Sequence, residues 1–405
     1  MSACLKQAAV LVGGLGTRLG PLTARKPKPL LMCGDRPFLG WLLRELIRYS
    51  VEEVVLLAGH MAEEIYRDLP QVISGLPRKI SVIVSEEPSR SGTGGALYHA
   101  RDHLADQFLL LNGDSLFDGA IGELLSHPFQ DDRVIGRVML RSVPDASRYG
   151  AVTLAGDRIV KFMERPEHAC GSLINGGVYL FRKSILEYLA PTCSLERDIL
   201  PHLASQGLLE GRVGQGYFID IGIPADFHRA GTEIPSHLRR PALFLDRDGV
   251  VNVDHGWVGT RDRFEWIEGA REAMALASRA GWHLFIVTNQ AGVARGFYTE
   301  DAVDELHSFI REEVKKLGGT VDDIRYCPHH PEGAIEAYRI RCDCRKPAPG
   351  MITSLLRSWE LDPSRCVLIG DKPTDLKAAR EAGVKGVLFG GGDLYAQVQE
   401  VLVRH

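Results

Sequence analysis

Asp246 and Asp248 stand one residue apart in Ala242-Leu-Phe-Leu-Asp-Arg-Asp-Gly249, where an apolar run of strand character meets a glycine turn. A carboxylate at the carboxyl end of a strand can attack phosphorus and carry the phosphoryl group as an aspartyl-phosphate. A second carboxylate two residues on points the same way and can give and take the proton. An isolated Asp-x-Asp is more often a turn cap, so three later segments decide the reading. His283-Leu-Phe-Ile-Val-Thr-Asn289 is an apolar strand ending in Thr288 and Asn289, whose side chains can hydrogen-bond phosphate oxygens. Arg345-Lys346-Pro347 sets two cations where phosphoryl charge builds in a transition state. Cys366-Val-Leu-Ile-Gly-Asp371 is a further strand of buried character, and Asp371 can close a Mg²⁺ site with Asp246 and Asp248. Three strands that each release a reactive group at the carboxyl end match the ligand geometry of open α/β sheets.

Between these strands lie Tyr326-Cys-Pro-His-His-Pro331 and Arg341-Cys-Asp-Cys-Arg345. Cys327 and His329, then Cys342 and Cys344, form two ligand pairs joined by a loop, a Cys₃His set that closes a tetrahedral structural Zn²⁺ site. His330 is the bystander of the two adjacent histidines. The loop runs directly into Arg345 and Lys346, so its expected role is to hold those cations.

The four phosphoryl segments stand in the order seen in the haloacid-dehalogenase phosphatases, and residues 242 to 392 resemble the zinc-containing D,D-heptose 1,7-bisphosphate phosphatases of that superfamily. Twelve residues separate His329 from Cys342. The related histidinol-phosphate phosphatases have a much shorter insert there. The resemblance implies that Asp254 and His255, in Asp254-His-Gly-Trp257, line the sugar pocket, with Trp257 where a tyrosine is expected. Gln290 and Lys372 are counted with the substrate-binding residues.

The other half carries a different chemistry. Ala8-Ala-Val-Leu-Val-Gly-Gly-Leu-Gly-Thr-Arg18 runs from a strand into a glycine-rich loop, and Lys26-Pro-Lys-Pro-Leu30 follows. Gly13, Gly14 and Gly16 let the backbone approach a triphosphate, and successive N–H groups there, with Thr17 beside them, can cradle anionic oxygens. Arg18 and Lys28 add charge. The run lacks the Gly-Lys-Ser/Thr ending of a P-loop and the spacing of a dinucleotide fingerprint.

Taken whole, it resembles the signature of the sugar-1-phosphate nucleotidyltransferases, whose outline extends over residues 7 to 230. The resemblance implies that Arg18 stabilises the attacked α-phosphate and that Lys28 contacts phosphate. It also implies that Asp114, ending Phe108-Leu-Leu-Leu-Asn-Gly-Asp114, and Asp220, in Tyr217-Phe-Ile-Asp220, hold Mg²⁺. Glu86 with Gly92, Thr93 and Gly94 resembles the base and ribose region, and Glu164 and Asn175 the sugar segments. Arg165 stands where many relatives place lysine. Within the family, Ile174-Asn-Gly-Gly-Val-Tyr-Leu-Phe181 looks most like the heptose 1-phosphate guanylyltransferases, which are expected to take the α-anomer.

The chain has 405 residues, 45% hydrophobic and 25% charged, enough for two domains with separate cores. The expected organisation is α/β throughout, with two Rossmann-like domains. Residues 1–232 form a nucleotidyltransferase with a mixed sheet, 233–241 a linker, and 242–405 a haloacid-dehalogenase-like parallel sheet with a zinc loop. Pro37–Tyr49 and Ala270–Ala280 have helical spacing. The net charge of −4 shows no basic excess of a nucleic-acid binder, and no run reaches membrane-spanning length. A cytoplasmic enzyme with reduced thiols follows as the expectation. Its partners are small molecules, namely a nucleoside triphosphate and heptose phosphates, with an oligomer possible. Two alternatives stay open: a nucleotidyltransferase for another sugar 1-phosphate, of the mannose or glucose type, with a histidinol-phosphate-like phosphatase, or a transferase half kept only as a sugar-nucleotide sensor.

Overall fold

A computed structural model describes residues 5–129, 131–145, 150–164 and 170–404. The chain divides into two compact units, Met1–Leu238 and Arg239–His405. No helix among the described residues is long and apolar enough to cross a membrane.

Strand alternation builds the first unit. In Gln7–Leu11, Ala8 and Val10 join one core with Val54, Leu56, Leu109 and Leu111, while Ala9 joins a second with Val55, Leu57, Phe108 and Leu110. Strands apolar on both faces must be covered on both faces. Helix Phe38–Arg48 covers the first core with Phe38, Leu42 and Leu46, and Leu97, Leu200 and Leu203 cover the second. The resulting nine-stranded sheet has the order Ser81–Glu86, Glu53–Ala58, Gln7–Leu11, Gln107–Asn112, Cys170–Arg182, Gly136–Asp145, Leu209–Gly214, Arg158–Glu164, Gly150–Ala155. The first four strands are parallel, and Cys170–Arg182 pairs antiparallel with both its neighbours. The sheet is therefore mixed, as the sequence predicts. A separate ladder pairs Ser115–Phe117 with Phe218–Asp220.

The second unit is a five-stranded parallel sheet in the order Asp323–Cys327, His283–Asn289, Ala242–Leu245, Cys366–Gly370, Lys385–Leu388. Leu245 pairs with Ile286 on one side and Ile369 on the other. That register brings Asp246, Thr288 and Asp371 to the same carboxyl edge. Helices form at Phe38–Arg48 and Ala270–Arg279, as the spacing predicts. Residues 233–238, which the sequence reading gives to a linker, continue the helix Pro224–Leu238 instead. Pro235 costs that helix a backbone hydrogen bond, yet Ala230, Ile234 and Leu238 stay buried along one face, and their burial holds the helix together.

Candidate active sites

The antiparallel ladder of the first unit sets Asp220 opposite Ser115, and the Ile221 N–H donates to the Asp114 carbonyl at 2.9 Å. Two aspartates far apart in the chain thus become neighbours. Burial, with the charge of Asp114 added, pushes the Asp220 carboxyl up to about 6. Lys28 is buried and its Nζ lies 2.6 Å from Asp114 Oδ2. Arg18 reaches the same corner from the far side: a Cβ at Gly222 would lie 2.7 Å from Asp220 Oδ1 and 3.0 Å from Arg18 Nη2.

Beside this corner opens a cavity of about 400 Å³, with Gly13, Gly14, Lys28, Gly92, Thr93 and Asp114 in its walls. Of the other residues expected here, Gly16 takes φ 61 before the turn Thr17–Thr23, and Thr17 and Arg18 are exposed. The Gly94 N–H donates to the Cys193 carbonyl at 3.0 Å and is committed to that loop. Gly92 is required by the same approach, because its φ is 79 and a Cβ would stand 2.5 Å from the Cys193 carbonyl oxygen. Thr93 donates to Glu196 at 2.7 Å and accepts from Leu195 N at 2.9 Å.

Glu86 is exposed at the end of its strand, and its neighbour Glu87 is the carboxylate that enters the cavity wall, together with Arg90 and Glu196. Glu87 accepts from the Ser91 N–H at 3.1 Å and from its hydroxyl. The Asn175 amide turns inward, donating to Tyr179 Oη at 2.6 Å and accepting from Gly177 N at 3.1 Å, where the register of the strand breaks. It is not in the cavity wall. Glu164 ends a strand, and Arg165 lies outside the described residues.

In the second unit the carboxyl edge of the sheet forms a cavity of about 360 Å³. Its walls hold Asp246, Asp248, Asp254, Asn289, Arg345, Lys346 and Lys372, with Trp257, Tyr298 and Asp375 added. Lys346 is buried at the floor. Its Nζ lies 2.7 Å from Asp246, 2.7 Å from Asp375 and 2.9 Å from the Val287 carbonyl. Burial lowers the pKa of this ammonium, but Asp246 and Asp375 outweigh it and hold it above the usual lysine value. Burial likewise raises the Asp246 carboxyl, and Lys346 offsets only part of the rise. Lys372 bonds Asp254 at 2.9 Å. Trp257, with φ 55 and 45% exposed, stands at the mouth against Phe297 at 5.2 Å.

Several side chains differ from the sequence reading. Oxygens of Asp246, Asp371 and Asp375 lie within 4.8 Å of one another, a group that could hold a metal ion. The Asp248 carboxylate lies outside that group. It is drawn aside by donors from Arg247, Asn252 and Gln290. Asn289 is a clamp on Lys346, donating to its carbonyl and accepting from its N–H, each at 3.0 Å. Thr288 is buried and accepts from Gln290 at 2.8 Å, and neither residue is in the cavity wall. His255 pairs with Glu265 at 2.8 Å and is likewise absent from the wall. Asp375, in the first turn of helix Pro373–Glu381, is absent from the sequence expectation, although it ends the same short polar run, Asp371-Lys-Pro-Thr-Asp375, that follows the strand.

Cys327, His329, Cys342 and Cys344 form one cluster with ligand atoms within 4.8 Å of one another. The Sγ atoms of Cys342 lie 3.5 Å from Cys327 and 3.1 Å from Cys344, and His329 Nδ1 is 3.4 Å from Cys344 Sγ. His330 instead accepts from Glu332 N at 3.1 Å. Arg345 donates to the His329 carbonyl at 3.3 Å, which ties the cluster to the cavity.

Comparison with known proteins agrees with this division. Residues 7–237 match the family model described as nucleotidyl transferase, and residues 343–399 match one described as HAD-hydrolase-like. The chain is 47% identical over 165 residues to the D-glycero-beta-D-manno-heptose-1,7-bisphosphate 7-phosphatase of Rhodopseudomonas palustris, covering 41% of this chain and 92% of that one. It is 44% identical over 144 residues to the protein of the same name from Escherichia coli K12, covering 36% and 75%. Among solved structures, HddC from Yersinia pseudotuberculosis is similar with a TM-score of 0.50 and 29% identity, over 56% of this chain and 99% of that one. The chain joins two enzymes: it belongs to the nucleotidyl transferase family through residues 7–237 and, through its second unit, to the family of the heptose-1,7-bisphosphate 7-phosphatases.

Proposed function

We propose that the protein carries out two successive steps of heptose activation. The second unit, Arg239–His405, removes the 7-phosphate of D-glycero-D-manno-heptose 1,7-bisphosphate, and the first, Met1–Leu238, transfers a nucleotide, GMP from GTP, to the heptose 1-phosphate with release of pyrophosphate. The observation that carries this reading is the presence in one chain of two sites, each with its own carboxylates and its own buried lysine. The product of one site is the class of substrate that the other family consumes. Incubating pure protein with the bisphosphate, Mg²⁺ and each of four nucleoside triphosphates tests it, with phosphate and pyrophosphate read separately. Phosphate release without pyrophosphate from any triphosphate would leave the first unit a sensor.

In the phosphatase, Asp246 is the nucleophile. Lys346 keeps it oriented and offsets phosphoryl charge, while Asn289 fixes Lys346 through its backbone. Arg345 and Lys372, at the cavity wall, receive the sugar phosphate. The carboxylates fit a hard cation: Asp371 Oδ1 is buried without a partner, and Gly249, with φ 94, lets the loop after Asp248 pass where a Cβ would strike Asp371. Asp246 and Asp371, with Asp375 beside them, would hold Mg²⁺, which when bound would offset charge on the phosphoryl oxygens. In the transferase, Asp114 and Asp220 repel one another across a corner that burial makes costly, which suits the same ion. Lys28 and Arg18 bind phosphate oxygens there.

Three sulfur donors and one imidazole nitrogen, all within 4.8 Å of one another and with neighbouring pairs at 3.1–3.8 Å, suit tetrahedral Zn²⁺, since ligands at about 2.3 Å lie roughly 3.8 Å from one another. One zinc per chain is expected. Cys342→Ser should release it, loosen Arg345 and Lys346, and lower phosphatase kcat/KM by about tenfold or more while pyrophosphate production persists. Metal analysis beside the two assays checks this, and a metal-free variant with full phosphatase activity would refute it.

The anomer gives a further expectation. The phosphatase relatives carry the β-anomer in their names, whereas a guanylyltransferase of the kind resembled here takes the α-anomer. A phosphatase fused to that transferase must feed it, so kcat/KM should be several-fold higher for the α-1,7-bisphosphate. A shift of the anomeric dianion by about an ångström is enough to cost on the order of a hundredfold in rate. Measuring both pure anomers decides it, and a clear β preference would sink the guanylyltransferase assignment with it.

A further inference from the structure

Between the two aspartates lies Arg247, which is completely buried. A guanidinium in a dry interior is unfavourable unless it is paired and its donors are taken. Here Nε and Nη2 both donate to Asp248 Oδ1, at 3.1 and 2.9 Å, and Nη2 also reaches Oδ2 at 3.1 Å. Nη2 donates further to the Val258 carbonyl, and Nη1 lies 3.3 Å from His307 Nε2. His307 is itself buried, and burial together with the charge of Arg247 keeps its ring neutral, so Nε2 serves as the acceptor. Two more donors close on Asp248: Asn252 Nδ2 on Oδ1 at 3.0 Å and Gln290 Nε2 on Oδ2 at 2.8 Å, with Gln290 held by the Tyr298 hydroxyl at 2.8 Å.

The division of labour between the buried cations is specific. Lys346 pairs with Asp246 and Asp375, while Arg247 pairs with Asp248. An apolar side chain would fill the same space, but the planar guanidinium fork contacts both oxygens at once and, with Asn252 and Gln290, fixes the plane of the carboxylate. We propose that Arg247 is a positioning residue that fixes the Asp248 carboxylate for proton transfer to the leaving sugar oxygen and from the attacking water. This rests on the phosphatase reading above. In the first half-reaction a lone pair of Asp246 forms the bond to phosphorus, the bond from phosphorus to the sugar oxygen breaks, and the proton on Asp248 goes to that oxygen. In the second, water bonds to phosphorus, its proton passes to Asp248, the bond to Asp246 breaks and phosphate leaves.

The test uses the full chain with Arg247→Met and Arg247→Lys, and kcat/KM for phosphate monoesters of graded leaving-group basicity. That constant reports the first half-reaction, where a proton donor matters for a basic alkoxide and hardly at all for p-nitrophenolate. Arg247→Met should lose about a hundredfold on the heptose bisphosphate and less than about threefold on p-nitrophenyl phosphate, with Arg247→Lys between. In an Asp248→Asn background, Arg247→Met should leave the leaving-group dependence unchanged, because the residue acts through Asp248. Equal losses on every ester, or a further loss in that background, would overturn the inference alone. Should Arg247→Met not fold, Arg247→Lys, which keeps the charge, carries both comparisons. A wild-type chain inactive on all the esters would overturn the phosphatase reading and this inference with it.

Discussion

Asp246→Asn should lower phosphate release from the heptose bisphosphate by about a thousandfold or more, because an amide cannot act as the nucleophile. Pyrophosphate production from supplied heptose 1-phosphate should be nearly unchanged. The substitution is almost isosteric, and Lys346 keeps a second carboxylate, Asp375, at 2.7 Å. The buried ammonium is therefore not left without a partner, and the unit should stay folded. Strand Ala242–Leu245 is hydrogen-bonded on both sides and does not depend on the Asp246 side chain. Parallel assays of the two products, with a melting curve as control, check this. Loss of both activities in a folded variant would end the two-site reading.

The converse variant, Asp114→Asn, should abolish nucleotide transfer by about a hundredfold or more and leave phosphate release intact. Two effects add. Lys28 loses the carboxylate 2.6 Å from its Nζ, and Asp220 remains as a single acid where two faced the same corner. One carboxylate holds a divalent cation more weakly than two. Titration with Mg²⁺ should accordingly show a higher requirement in the variant, and an unchanged requirement with full transfer would remove Asp114 from the site.

Most of the fold was legible because both halves write it in strand alternation and strand ends. Ala8 to Leu11 and Leu243 to Leu245 are apolar on both faces, which only a covered sheet accepts, and each such strand is followed by glycine or aspartate. The grouping of Cys327, His329, Cys342 and Cys344, a cluster that could hold a metal ion, was legible from their pairing alone. Glu86 was not distinguishable from Glu87, because one residue along a strand reverses the face and sequence spacing does not say which face meets a cavity. Gly94 stands with the base and ribose region in the sequence expectation, yet its N–H is taken by the Cys193 carbonyl, almost a hundred residues on.

The sequence alone determined which residues can carry chemistry, their order, and the strands that release them, since those depend on local pattern and on atoms within a few residues. The tertiary structure decided which of them meet. Asp114 and Asp220 come together through a short antiparallel ladder. Asp375 joins Asp246 and Asp371 in a group that could hold a metal ion, and Lys346 pairs with both Asp375 and Asp246. Asp248 is held by the arginine beside it, because a buried guanidinium must find an anion and that carboxylate is the one within reach. Pairings of this kind are set by packing between distant segments, where a burial penalty exists only once the chain has closed around the group.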